Sequence, residues 1–198
     1  MLDLFFLKAG NELKSISKKI NLKDLIACQA FKTQSEASKA INEFKLQGIK
    51  AIPCNLIEGR QGLMKNLLNA FNAKNISEAM QAVSRKGINL LLLRDAKAID
   101  AGMIALASRN NVAIGLLLAD FLKQPASEQA LLLRQWAFIA RLCRKFQTNF
   151  FVFSGAVDLT GLRNPEDLKA LYSLLGFSKD QANRFSNQAV EILSQAIE

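Results

Sequence analysis

The sequence predicts an α/β protein, a single TIM-barrel-like (β/α) domain over residues 1–198 with about seven parallel strands. Three observations carry that prediction. Short, continuously apolar runs recur along the chain, as strands buried on both faces require. Amphipathic stretches of helical spacing separate them, as crossovers between parallel strands require. Finally, no long Gly, Ser or Pro-rich linker and no repeat interrupts the alternation, so one core is expected. Six or seven such steps in 198 residues favour a closed or nearly closed barrel over an open doubly wound sheet.

In chain order, "LDLFFLK", "LIACQA" and "KAIPCN" read as the first strands, and "SEASKAINEFKLQG" before the third reads as a helix closed by Gly48. The stretch "LLNAFNA" from Leu67 to Ala73 fits a helix or a strand. "SEAMQAVSRKG" is a second helix ending at Gly87, before the strands "NLLLLR" and "VAIGLLL". The longest helix is expected from about Ser127 to Phe146, burying Leu132, Trp136, Ile139 and Cys143 and turning Arg134, Arg141 and Lys145 outward, either as a solvated face or as a phosphate-contacting ridge. "FFVFSG" is the last strand. The helix after it has Asn164 as N-cap, Pro165 at the first helical position and Asp167 completing a capping box. Leu168, Leu171, Leu174 and Leu175 dock it, and Gly176 supplies a left-handed C-terminal cap.

Half of the residues are apolar and the net charge is +9. The charge favours a polyanionic partner, nucleic acid foremost. Cys28, Cys54 and Cys143 are odd in number, far apart and set among apolar residues, so they read as buried hydrophobes in a reducing, cytoplasmic setting. No run approaches the roughly 20 apolar residues of a membrane span. "MLDLFFLKAG" has neither a basic leader nor a long apolar centre, so no signal peptide is expected.

Catalytic groups in a parallel barrel collect where strands lead into helices, and those places offer only Asn55, Arg94, Asp95, Asp120 and Ser154. The chain contains no histidine, which removes the commonest general base and the commonest transition-metal ligand. Histidine-activated serine or cysteine nucleophiles are thereby excluded. Neither glycine-rich nucleotide fingerprint is present, and "EGRQG" at 58–62 reads as an ordinary turn. Neither a cofactor nor a metal is expected. A carboxylate mechanism through Asp95 or Asp120 on a phosphorylated metabolite is the alternative enzyme reading, although both acids also suit helix caps or loops. A scaffold that contacts only proteins is a third.

The segment "NVAIGLLLADFL", the leucine-rich helix with Arg134 and Trp136, the strand "FFVFSGA" and "LRNPEDLKALYSLLGF" together resemble archaeal ribonuclease P protein component 3, the counterpart of the eukaryotic thirty-kilodalton subunit. "AVSRKGINLLLL" and "AIDAGMIALASRNNVAIG" are similar to the same family's central elements. The resemblance implies a barrel akin to the polymerase and histidinol phosphatase (PHP) superfamily without its histidine-rich metal site. It also implies a non-catalytic subunit of the ribonucleoprotein that removes the 5′ leader of precursor tRNA, with ribonuclease P RNA and component 2 among its partners. On that basis the candidate RNA contacts are Arg163, stationed before a helix N-terminus, and Arg85, Lys86, Arg94, Lys97, Arg109, Lys145 and Arg184. The competing readings are that Arg163 pairs with Glu166 or Asp167 or simply lies in water, and that Arg85 and Lys86 only complement a helix dipole.

Overall fold

A computed structural model describes residues 2–5, 24–29, 33, 35–36, 38–39, 42, 51–59, 62–93, 99–156, 161, 163 and 165–195. Gly48, Arg94, Asp95, Lys97 and Asn164 lie outside the described residues, as does most of the helix expected before the third strand. Strands β1 (Leu2–Phe5), β2 (Asp24–Gln29), β3 (Ala51–Ile57), β4 (Leu68–Ala73), β5 (Leu90–Leu93), β6 (Ala113–Leu117) and β7 (Phe150–Phe153) form one sheet. All pairs are parallel, and the order in space is the order in sequence. The helices are α1 (Ile76–Ser84), α2 (Ala101–Arg109), α3 (Leu118–Leu122), α4 (Ala126–Phe146), α5 (Pro165–Leu174) and α6 (Lys179–Gln195).

The segment that fits two periods in the sequence is strand β4. Its run LNAFNA is buried throughout, with Ala70 opposite Leu90 and Cys54 opposite Leu68. Asn69 survives there because a polar network satisfies it: its Oδ1 accepts from Asn55 Nδ2 at 3.1 Å and from the Met64 N–H at 3.0 Å, while its Nδ2 donates to the Met64 carbonyl at 3.0 Å.

Strand residues alternate between two cores, as a pleat demands. On the helical side, Phe71, Leu91, Leu93, Ile114, Leu116, Phe150 and Val152 pack with buried residues of α1, α2, α4 and α5. On the other side, Ile52, Cys54, Leu68, Ala70, Leu90, Leu92, Ala113, Leu117, Phe151 and Phe153 form a second cluster, joined by Ala189 and Leu193 of α6. Gly115 belongs to this crowded inner face. A Cβ there would stand 2.8 Å from Leu92 Cδ2 and 3.1 Å from Phe153 Cε2, so neighbouring side chains already fill the space its missing one leaves. Helix α6 packs on both β1 and β7, the ends of the strand order, which themselves approach each other.

Among the described residues no strand pairs with the far edge of β7, and a side chain meets it there. In the β6–β7 register Ile114 faces Phe150, so the Phe151 N–H points to β6 and the Val152 N–H points the other way. Tyr172 of α5 brings its hydroxyl to that N–H, which donates to Oη at 2.9 Å in a buried position. Tyr172, Phe150, Phe177 and Phe185 form one ring cluster with neighbouring centroids 5.2–6.2 Å apart, joining β7, α5 and α6.

Several expected details are corrected. Leu174 is not a docking residue: it is 67% exposed, whereas Leu168, Leu171 and Leu175 are buried. The three buried leucines share a stripe at spacings of three and four, and Leu174 falls well to one side of it. Gly176 does take a left-handed turn (φ +84°), and the Phe177 and Gly176 N–H groups donate to the Tyr172 and Ser173 carbonyls, the double bond of a Schellman cap. Gly87 (φ +90°) lies in the turn beyond the α1 cap, which is Arg85. Helix N-caps come from Asn75 and Asp100, whose side chains accept from the Glu78 and Met103 N–H groups at 2.9 and 2.7 Å. Asp120 sits inside the first turn of α3, not at its cap.

Candidate nucleic-acid interface

Parallel crossovers place each helix C-terminus beside the start of the next strand. Arg85 and Lys86 close α1 and lead to β5, Arg109 ends α2 and leads to β6, and Arg144 and Lys145 end α4 and lead to β7. These cations therefore meet at one end of the sheet, the end where strands begin. They complement the negative helix ends, and the side chains of Lys86, Arg109, Arg144 and Lys145 remain exposed while that of Arg85 is half-buried.

Hydrogen bonds between the helices lock this arc together. Asn110 Nδ2 donates to the Val83 carbonyl at 2.6 Å, joining the ends of α2 and α1. Ser108 Oγ donates to the Phe146 carbonyl at 2.7 Å, joining α2 and α4, and Thr148 Oγ1 donates to the Ile104 carbonyl at 3.3 Å. The Val83 and Phe146 carbonyls are among the last of their helices, which the helix itself cannot pair. The result is a fixed row of cations on three adjoining crossovers.

Arg184 of α6 joins the same end. It lines a cleft of about 450 Å³ with Arg144, Gln147, Thr148 and Asn149, the residues that lead into β7. Arg144, which sequence reasoning left out, holds the cleft's shape: its Nη1 donates to the Gly176 carbonyl at 2.7 Å and its guanidinium lies 5.0 Å from the centroid of Phe177. A basic residue in the last turn of a long helix was the available signal.

Arg163 stands apart from this arc. It follows β7 and precedes α5, at the end of the sheet where strands finish, and it is half-buried. Of the acids that stood to neutralise it, Glu166 pairs with Lys169 at 2.8 Å. Glu166 and Asp167 occupy the first turn of α5 and already complement its dipole, so anion attraction there rests on the guanidinium and not on the helix end. Arg134 and Arg141 of α4 are exposed among the apolar Leu131 and Phe138, 50% and 48% exposed, a mixed face and not a purely cationic ridge.

Two of the residues expected at a catalytic mouth, Asn55 and Ser154, are used by the fold, whereas Asp120 keeps a buried Oδ2 with no hydrogen-bond partner among the described residues. Asn55 is buried within β3, where its Nδ2 donates to Asn69 Oδ1 and to the Gly62 carbonyl. Ser154 is buried, its hydroxyl accepting from the Ala156 N–H at 3.3 Å and its carbonyl accepting from the Ala119 N–H at 2.9 Å. The next residue, Gly155, adopts φ +64° with a would-be Cβ 3.0 Å from Leu117 Cβ, which fixes glycine at the strand exit. Among the described residues, no group of three His, Cys, Asp or Glu side chains could hold a metal ion, and no helix is long and apolar enough to cross a membrane.

Cys54 and Cys143 are free and buried. Burial pushes the Cys143 thiol from its ordinary 9.0 up to about 12. Because the folded form holds its proton more tightly, the stability this thiol contributes is complete below pH 9.0 and is lost as pH rises towards about 12. Cys143 is expected to resist alkylation at neutral pH until the protein unfolds. Cys143→Ala is expected to remove an alkaline fall in stability of up to about 1.4 kcal/mol per pH unit, read from urea unfolding curves between neutral and alkaline pH.

The fold and this surface define a parallel α/β protein with a row of cations at the strand-entry end of its sheet. Residues 74–198 match the family model of the RNase P subunit p30, and the chain belongs to that family. Ribonuclease P protein component 3 of Methanococcus vannielii is 33% identical over 86 residues, which are 42% of this chain. The matched stretch spans 36% of that relative's length. Among solved structures, a chain in the cryo-EM structure of archaeal ribonuclease P with mature tRNA superposes with a TM-score of 0.84 at 16% identity, covering 99% of this chain and 91% of that one. A crystal structure of an uncharacterized protein gives a TM-score of 0.63 at 9% identity, over 97% of this chain and 73% of that one. At these identities the superpositions speak for the fold.

Proposed function

We propose that this chain is a protein subunit of ribonuclease P that binds the catalytic RNA and helps it fold, while the RNA itself removes the 5′ leader of precursor tRNA. The observation that carries the proposal is the family match over residues 74–198, a span that contains every cation of the arc as well as Arg163 and Arg184. The net charge of +9 supports it, because a polyphosphate rewards clustered cations through counterion release. Contacts from helix termini to phosphates position an RNA without reading its sequence, so recognition is by shape. Component 2 and other protein subunits are its companions, and precursor tRNA meets the chain within the assembled complex in the cytoplasm.

The same reading assigns the sheet to the TIM-like, PHP-related barrels. Seven sequentially ordered parallel strands, with the first and last close together and α6 packed on both, support that assignment. The barrel then serves as a rigid mould, its chemistry-bearing mouth unused.

Reconstituted cleavage of precursor tRNA by the RNA subunit, with component 2 present throughout and this chain added or withheld, tests the proposal. Addition is expected to raise the cleavage rate and lower the magnesium requirement, whereas the chain without RNA is expected to cleave nothing. An unchanged rate on addition would remove the chain from the ribonucleoprotein.

A further inference from the structure

From the cleft between the end of α4 and the start of α6 we infer a binding site for a single nucleotide unit, its phosphate held by Arg144 and Arg184 and its base laid against Phe185. This deepens the ribonuclease P proposal and, for an RNA-borne nucleotide, rests on it. The volume, about 450 Å³, is that of a small-ligand site. Among the described residues lining it none is Asp or Glu and two are arginines, which favours an anion there.

The wall is mixed as a nucleotide requires. Arg144 is held in place by the Gly176 carbonyl and the Phe177 ring, which leaves its remaining N–H groups directed by a fixed guanidinium plane suited to phosphate. Phe185 is half-buried and lines the cleft beside it, giving a flat apolar wall on which a base can stack. Gln147 adds a carboxamide that donates and accepts, the complement of a base edge, and Gln181, whose Oε1 accepts from the Ser178 N–H at 3.0 Å, adds the Nε2 donor.

Gln147 also carries an independent mark. It caps α4 in the left-handed region at φ 56°, where glycine is the default and another residue is strained. Stability alone does not select glutamine there. A side chain lining an anion-favouring cleft accounts for it, as strained positions in binding sites commonly are accounted for.

The test uses the full chain, a short oligouridylate carrying 4-thiouridine, and free uridine monophosphate. Photo-crosslinks are expected within 177–185, located by mass spectrometry of the digested adduct. Arg184→Ala is expected to weaken oligouridylate binding about fourfold near 0.15 M salt and to flatten the salt dependence by about one phosphate contact. Gln147→Gly is expected to raise stability while lowering affinity, an opposition that a purely structural residue would not produce. Competition by uridine monophosphate would assign the site to free nucleotides as well as RNA, and its absence would assign it to the RNA strand alone.

Crosslinks confined to other segments, or wild-type affinity in both variants, would overturn the site. So would occupation of the cleft by component 2 in the assembled complex. If crosslinks form here but the chain fails to stimulate precursor-tRNA cleavage, the nucleotide site stands and the ribonuclease P reading falls.

Discussion

Replacing Arg85, Arg109 and Lys145 together by alanine is expected to weaken binding to the ribonuclease P RNA by roughly 60-fold to 100-fold near 0.15 M salt. Each phosphate contact contributes a log–log salt slope of about −0.7 to −0.9, so losing one costs roughly fourfold at that concentration, and three compound. The slope itself is expected to flatten by between two and three. These side chains sit on three different crossovers whose ends are joined by the Asn110 and Ser108 hydrogen bonds. A folded RNA that touches one is therefore presented with the others in fixed geometry. Arg163→Ala, at the opposite end of the sheet, is expected to cost only about fourfold and to flatten the slope by about one. Filter binding or anisotropy across a range of salt concentrations separates the cases. A triple variant that binds as tightly as wild type would show that the arc only neutralises helix dipoles.

The contrast also shows what the sequence could and could not disclose. Continuous apolar runs such as "NLLLLR" and "FFVF" identified strands, since a strand covered on both faces leaves no polar position to confuse the pattern. The segment "LLNAFNA" stayed ambiguous because Asn69 and Asn72 break the run, and the cross-strand partners that accommodate them, Asn55 for Asn69 and Glu58 for Asn72, stand 14 residues away. Leu174 looked like its neighbouring leucines because composition does not state which stripe of a helix faces inward. The packing of α6 on the second core, through Ala189 and Leu193, joins the two ends of the strand order and has no local signature.

For the interface, the individual cations were visible but their grouping was not drawn from them. It follows from chain order, because residues that end one crossover helix and precede the next strand all gather at one end of a parallel sheet. Arg85, Lys86, Arg109 and Lys145 satisfy that rule, and Arg163, which follows a strand, does not. Arg144 was hidden by its double use as a cap for the Gly176 carbonyl and a lid on Phe177, contacts made across 32 residues of chain.

Tyr172 is where the largest single-residue effects on stability are expected. Tyr172→Phe keeps the ring among Phe150, Phe177 and Phe185 but removes the oxygen that accepts from the Val152 N–H. That N–H is buried on the edge of β7 that faces away from β6, so neither the sheet ladder nor bulk water replaces the lost partner. An orphaned buried donor costs about 1–3 kcal/mol, which in a chain of this size lowers the melting temperature by roughly 2–4 °C per kcal/mol. Tyr172→Ala additionally opens a cavity among the rings and is expected to cost about 3–5 kcal/mol. The difference between the two variants, measured by urea unfolding, separates the hydroxyl from the ring. Amide exchange localises the first effect: in Tyr172→Phe the Val152 amide is expected to lose protection before Phe151, whose N–H remains in the β6 ladder. If Tyr172→Phe unfolds at the wild-type urea concentration, the edge of β7 is satisfied by another strand, and the sheet is closed by backbone pairing and not by this side chain.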